Sequence, residues 1–150
     1  MEKNENVARL LKSIWLNGGE IAPAAFTLRP NIRETYISVL REGQPTFRKD
    51  ALEIAHRKST KYAVLNAAEL AERADSATSE EITYSVKETD NDRFKSHAGI
   101  FVAVNGNNIV GGEPFQQYLR QKGVSEETVL IGIAEQLAYT AQKNIKTIKA

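Results

Sequence analysis

Between Ile100 and Val110 the chain reads I-F-V-A-V-N-G-N-N-I-V: an apolar, β-prone run, an Asn-Gly pair, and a second short run. No other stretch limits the fold so tightly. Asn105-Gly106 tolerates the positive φ values of a type I′ turn, whose twist matches the strands it joins. Ile100–Val104 and Asn107–Val110 are therefore expected to pair antiparallel. The first arm is apolar without alternation, which places it inside a sheet rather than at a wet edge. Gly111-Gly112 breaks the strand, and Pro114 suits the first turn of a following helix, where its missing N–H is not needed.

The rest of the chain supplies partners for this hairpin. Thr35–Arg41 (T-Y-I-S-V-L-R) is β-branched and aromatic, hence a strand, and Gly43 and Pro45 end it. Phe47, Ala51, Ile54 and Ala55 mark a helix over about 47–58, and Tyr62–Leu65 reads as the next strand; strand, helix and strand fit a right-handed βαβ unit. Asn66 with Glu69 resembles a capping box for a short helix reaching about Ala74. Asp75–Glu80 is a polar loop. Ile82, Tyr84 and Val86 alternate with Thr83, Ser85 and Lys87, so that strand has one buried face. Pro114–Lys122 is a helix with Phe115, Tyr118 and Leu119 inward, closed by Gly123. Ser125 caps a last helix, with Val124 and Val129 as a staple and a buried stripe of Leu130, Ile133, Ala134, Leu137, Ala138 and Ala141.

Three segments at the ends are read less directly. Val7, Leu10, Leu11, Ile14 and Trp15 recur at helical spacing, which predicts an amphipathic helix over 7–15, capped by Asn4 or Asn6 and stopped at Asn17-Gly18-Gly19. Ala24–Leu28, between Pro23 and Pro30, is expected to be a short edge strand if it is a strand at all. Residues 144–150 are expected to fray.

These elements predict one compact α+β domain over residues 1–150, a mixed, mainly antiparallel sheet with about five helices packed on it. Composition agrees with that class: 150 residues, 41% hydrophobic and 26% charged. The net charge is +1, from 20 basic and 19 acidic residues, so no overall field favours nucleic acid or an anionic membrane. The absence of cysteine excludes disulfides, thiolate nucleophiles and Cys-based zinc sites. M-E-K-N-E-N-V lacks the pattern of a signal peptide, and no apolar run approaches the roughly 20 residues that span a bilayer. A cytoplasmic protein is expected.

Chemistry concentrates just before the hairpin, in D-N-D-R-F-K-S-H-A-G from Asp90 to Gly99. His97 is the histidine in a polar loop, and imidazole is the commonest acid or base at neutral pH. Asp90 or Asp92 could orient its ring, and Lys95 or Arg93 could hold an anion. His97, Asp90, Asp92 and Lys95 are thus the candidate catalytic set, for a hydrolase of nuclease or phosphodiesterase type. The bland alternative has His97 satisfying backbone groups at the strand entrance while Gly99 relieves crowding.

Other motifs are weaker. Asp90 and Asp92 lack the further ligands and closing Glu of a calcium loop. Ser96 and His97 are adjacent on an extended chain and point to opposite faces. Gly106–Gly112 has Glu113-Pro114 where a phosphate loop needs Lys-Ser/Thr. His56, with Arg48, Lys49 and Lys61 nearby, forms a modest basic face on which Tyr62 could stack a base, but Asp50 and Glu53 dilute it. No metal or cofactor site emerges. The expected function is therefore a small interaction domain without catalysis, with another protein or a second copy as partner. Hydrolysis at His97 is the alternative, and nucleic-acid binding near His56 a further, less expected one.

Overall fold

The computed structural model describes residues 4–28, 35–72, 82–104, 107–109 and 113–149. Its framework is one antiparallel sheet. The strands are β1 (Asn6–Leu11), β4 (Ile37–Arg41), β5 (Ser59–Asn66), β6 (Ile82–Glu88), β7 (His97–Val104), β8 (Asn107–Asn108) and β9 (Ile145–Lys149); β2 (Leu16–Asn17) and β3 (Glu20–Ile21) form a separate small hairpin. Across the main sheet the order is β6-β7-β4-β1-β5-β9, with β8 paired to β7. Four α-helices are found among the described residues: α1 (Phe47–Ala55), α2 (Ala67–Glu72), α3 (Glu113–Lys122) and α4 (Glu126–Ala141). This is the α+β domain that the sequence predicts.

The expected hairpin is present as β7 and β8, paired Ala103 to Asn108 and Val104 to Asn107; the turn residues Asn105-Gly106 lie outside the described residues. β6 pairs along the whole of β7, from Ile82 opposite Val104 to Glu88 opposite Ala98. β4 and β5 both run antiparallel to β1, so they are parallel to each other with β1 between them. The β-α-β unit is therefore split by an inserted strand.

That inserted strand corrects the expectation of a helix over 7–15. Val7 and Leu11 enter the larger core cluster and Ala8 the smaller one, while Leu10 packs against the latter. A central strand buried on both faces has an apolar run without period-2 alternation, which is how it came to satisfy a helical template. Ile14, the fourth member of the supposed stripe, is 82% exposed. Two further expectations change. Pro23–Phe26 forms a 3-10 turn, with Ala25 and Phe26 buried, not a strand. The tail from Asn144 does not fray: β9 pairs with β5 from Ala63 opposite Ile145 to Ser59 opposite Lys149, and its lysines suit an edge strand.

Alternation sorts the sheet into two faces. One carries Val7, Ile37, Val39, Ala63, Leu65, Ile82, Tyr84, Ala98, Ile100 and Val102, and the side chains of α2, α3 and α4 pack on it. Ser125 caps α4 as expected, its Oγ accepting from the Thr128 amide at 3.1 Å. The opposite face is covered differently. There Ala8, Leu40, Tyr62, Val64 and Ile148 meet Phe47 and Ala51 of α1. α1 thus covers β1, β5, β9 and the Leu40 end of β4, and the rest of that face presents Ser38, His97, Gly99, Phe101, Thr83, Ser85 and Lys87. Among the described residues no helix is long and apolar enough to cross a membrane.

Candidate functional site

The line where α1 stops covering the sheet is a groove. A cavity of about 280 Å³ opens there, lined by Ala8, Arg9 and Leu10 of β1, Ser38, Val39 and Leu40 of β4, Ile54 of α1, and Asn91, Phe94 and His97. Its floor exists because the β1-β4 ladder is short. Only Val7–Arg41 and Ala8–Leu40 pair, whereas β1 continues along β5 as far as Leu11 and β4 along β7 as far as Ile37. Extending the register would pair Leu10 with Ser38. Instead the Arg9 guanidinium spans the opening, Nη1 donating to the Ser38 carbonyl at 2.7 Å and Nε to the Ala25 carbonyl at 2.8 Å.

The far wall is the loop from Thr89 to Ser96, and three contacts fix its shape. Asn91 Oδ1 accepts from the amides of Arg93 (3.0 Å) and Phe94 (2.9 Å), an Asx turn built by a short polar side chain. Arg93 reaches across to Glu53 of α1 at 2.9 Å. Deepest is the buried carboxylate of Asp50, whose Oδ2 accepts from the Ser96 amide, the Ser96 hydroxyl and the Thr46 hydroxyl. α1 and the loop are therefore one clamp over β4 and β7.

His97 stands at the bottom of this clamp, half-buried at the first residue of β7. Its Nδ1 is hydrogen-bonded to the Thr89 hydroxyl, and its amide donates to the Phe94 carbonyl at 3.0 Å. Burial pushes the imidazole pKa below its ordinary value of 6.5, because a charged ring loses hydration there. The neutral ring is the resting form at pH 7. Tyr36 continues the aromatic surface: its ring meets His97 edge-on at 6.0 Å between centroids and Phe101 at 5.1 Å. It lies over Gly99, where a Cβ would come within 2.6 Å of Tyr36 Cδ2. Lys87 extends over the Phe101 ring at 5.4 Å.

Of the residues singled out from sequence, the groove gathers His97 alone. Asp90, Asp92 and Lys95 are exposed on the loop and do not line the cavity. The ring's orienting partner is Thr89, a hydroxyl, where Asp90 or Asp92 was expected; the β6-β7 register folds Thr89 back toward His97, with the Thr89 amide donating to the His97 carbonyl at 3.4 Å. In the sequence Leu10 and Ile54 fall on helical stripes and Leu40 within a strand, and nothing local shows that a shortened ladder makes them, with Phe94, the lining of a groove. Ser38 could be placed beside His97 only once β4 and β7 were known to be neighbours.

The basic face near His56 fares differently. His56 closes α1 in the left-handed conformation at φ 52°, and Arg57 and Lys58 are exposed beside it. Tyr62 offers no ring face to a base, being buried edge-on against Phe47 at 5.3 Å. Among the described residues no cluster of His, Asp and Glu could hold a metal ion. No family model, curated protein or solved structure matches this chain.

Proposed function

We propose that the protein is a binding domain without a catalytic step, and that it recognises another protein by taking one of that protein's side chains into the groove beside His97. One observation carries this reading. The cavity is lined by the side chains of Ala8, Leu10, Leu40, Ile54 and Phe94, by Arg9, Ser38, Val39 and Asn91, and by the neutral imidazole of His97, and no carboxylate is among these lining residues. Such a wall stabilises an apolar group by removing it from water, at about 25 cal/mol per Å² of buried apolar surface. Proton transfer at His97 would need an opposing acid, base or nucleophile in hydrogen-bond reach. The hydroxyl that does reach the ring, Thr89, is the one that holds Nδ1 in place, on a side chain that does not line the cavity.

Size points the same way. The groove sits at the lower end of the roughly 300–1,000 Å³ that drug-sized ligands occupy. A groove of about 280 Å³ suits one large side chain. The Tyr36 and Phe101 rings beside it extend the contact area with the kind of residue that dominates protein interfaces.

Selection of displayed peptides on the immobilised protein tests this. Peptides with a shared large side chain are expected to be enriched and to lose binding to Ser38→Trp, whose indole fills the groove from an exposed position. An amide NMR spectrum confirms that the variant is folded. Peptides that bind the variant equally well, or the absence of any enriched sequence, would refute the proposal.

A further inference from the structure

We infer that the side chain this groove takes is aromatic and carries its own hydrogen-bonding group, a tryptophan or a tyrosine of the partner protein. The inference rests on the groove being a side-chain site and goes further by naming the class of side chain.

The argument is one of complementarity. The lining is apolar except at four residues: His97, Ser38, Asn91 and Arg9, whose guanidinium donates to the Ala25 and Ser38 carbonyls. Asn91 Oδ1 is already committed to two loop amides, and the His97 ring is held at Nδ1 by Thr89. Nε2 is therefore the ring nitrogen left to meet a ligand, on a ring that is neutral at pH 7. A neutral imidazole nitrogen donates or accepts one hydrogen bond, according to tautomer.

An occupant that is hydrocarbon throughout would cover Nε2 and Ser38 Oγ while removing the water they use, which weakens binding. A cationic occupant finds no carboxylate in the lining to replace its hydration, and an anionic one meets a guanidinium, Arg9, whose donors are already turned to the Ala25 and Ser38 carbonyls. An indole or phenol avoids both penalties, because it has a broad apolar body and one polar tip. Its ring also meets Phe94 at the groove and continues the surface of Tyr36 and Phe101.

The test uses four uncharged probes that differ only in side chain: the N-acetyl amides of tryptophan, tyrosine, phenylalanine and leucine. Each is titrated into the ¹⁵N-labelled protein, with amide shifts at Leu10, Leu40, Ile54, Phe94 and His97 as the readout. The tryptophan or tyrosine amide is expected to bind about tenfold or more tighter than the phenylalanine amide, the ratio that one hydrogen bond to a desolvated group supplies. His97→Phe should erase the preference between tyrosine and phenylalanine while leaving binding in place. Equal or tighter binding of phenylalanine or leucine amides in the same groove would overturn the assigned class and leave the groove as a side-chain site. No shift at these residues with any probe at millimolar concentration would overturn both.

Discussion

The Oδ2 atom of Asp50 accepts two hydrogen bonds from Ser96, from its amide at 3.1 Å and its hydroxyl at 2.7 Å, and both residues are buried. This contact joins the middle of α1 to the residue before β7. It fixes the height of the loop that walls the groove, and the Ser96 carbonyl in turn accepts from the Arg41 amide at 2.7 Å. Asp50→Ala removes the acceptor for three donors and is expected to cost about 3 kcal/mol of folding stability, against roughly 1.5 for Ser96→Ala. Urea unfolding of both single variants and the double variant checks this; the effects should be less than additive, because each breaks the same bond.

Tyr36 makes a second long-range prediction. Its Cδ2, Cγ and Cβ lie 2.6, 2.7 and 3.0 Å from where a Cβ on Gly99 would stand. Those are the base of the side chain, not its flexible end. Gly99→Ala is expected to destabilise by about 1–3 kcal/mol, as overpacking does. Adding Tyr36→Ala should recover part of that loss in a thermal or urea melt. Recovery should remain incomplete, because the Tyr36 Cβ stays in place.

Acid should weaken the fold through His97. Its folded-state pKa lies below the ordinary 6.5, so the unfolded chain binds the proton more readily. The stabilising contribution is fully present above pH 6.5 and is lost as the pH falls from there through the folded-state value. Ring-proton NMR should place the His97 midpoint below 6.5, and His97→Gln should flatten the slope of stability against pH in that window. A midpoint at or above 6.5 would contradict the assigned burial of the ring.

At the alkaline end the relevant group is Tyr62. Burial, then the hydrogen bond and negative charge of Glu42, push its phenol up to about 12. A raised folded-state pKa leaves stability unaffected below the ordinary value of 10 and erodes it as the pH climbs toward 12. Ultraviolet titration should therefore show Tyr62 ionising late, and Glu42→Gln should bring it to lower pH.

How much of this was legible from the residues depends on whether the signal was local. The β7 hairpin, the alternation of β6, the Ser125 cap and the stripe of α4 are written in short-range chemistry, and each is found where it was expected. β1 was misread because V-A-R-L-L is buried on both faces, and only its neighbours β4 and β5 show that it is a strand. β9 was missed because I-K-T-I-K carries little apolar signal and takes its structure from the edge of β5. For the site, His97 stood out by residue type and setting. Its companions are non-local: Thr89 arrives through the β6-β7 register, Ile54 through the path of α1, and Leu10 with Ser38 through a ladder that stops after Ala8–Leu40. Asp90, Asp92, Arg93 and Lys95 make the loop look like a charged site, and the groove beneath it is mostly hydrocarbon.

The most direct test of the groove as a recognition site is an isotope-filtered NOE spectrum of the protein with a peptide obtained by selection. The proposed function predicts NOEs from one peptide side chain to the methyl groups of Leu10, Leu40 and Ile54 and to the ring of Phe94. NOEs confined to the exposed side chains elsewhere, Ile14, Ile131 or Tyr139, would contradict it.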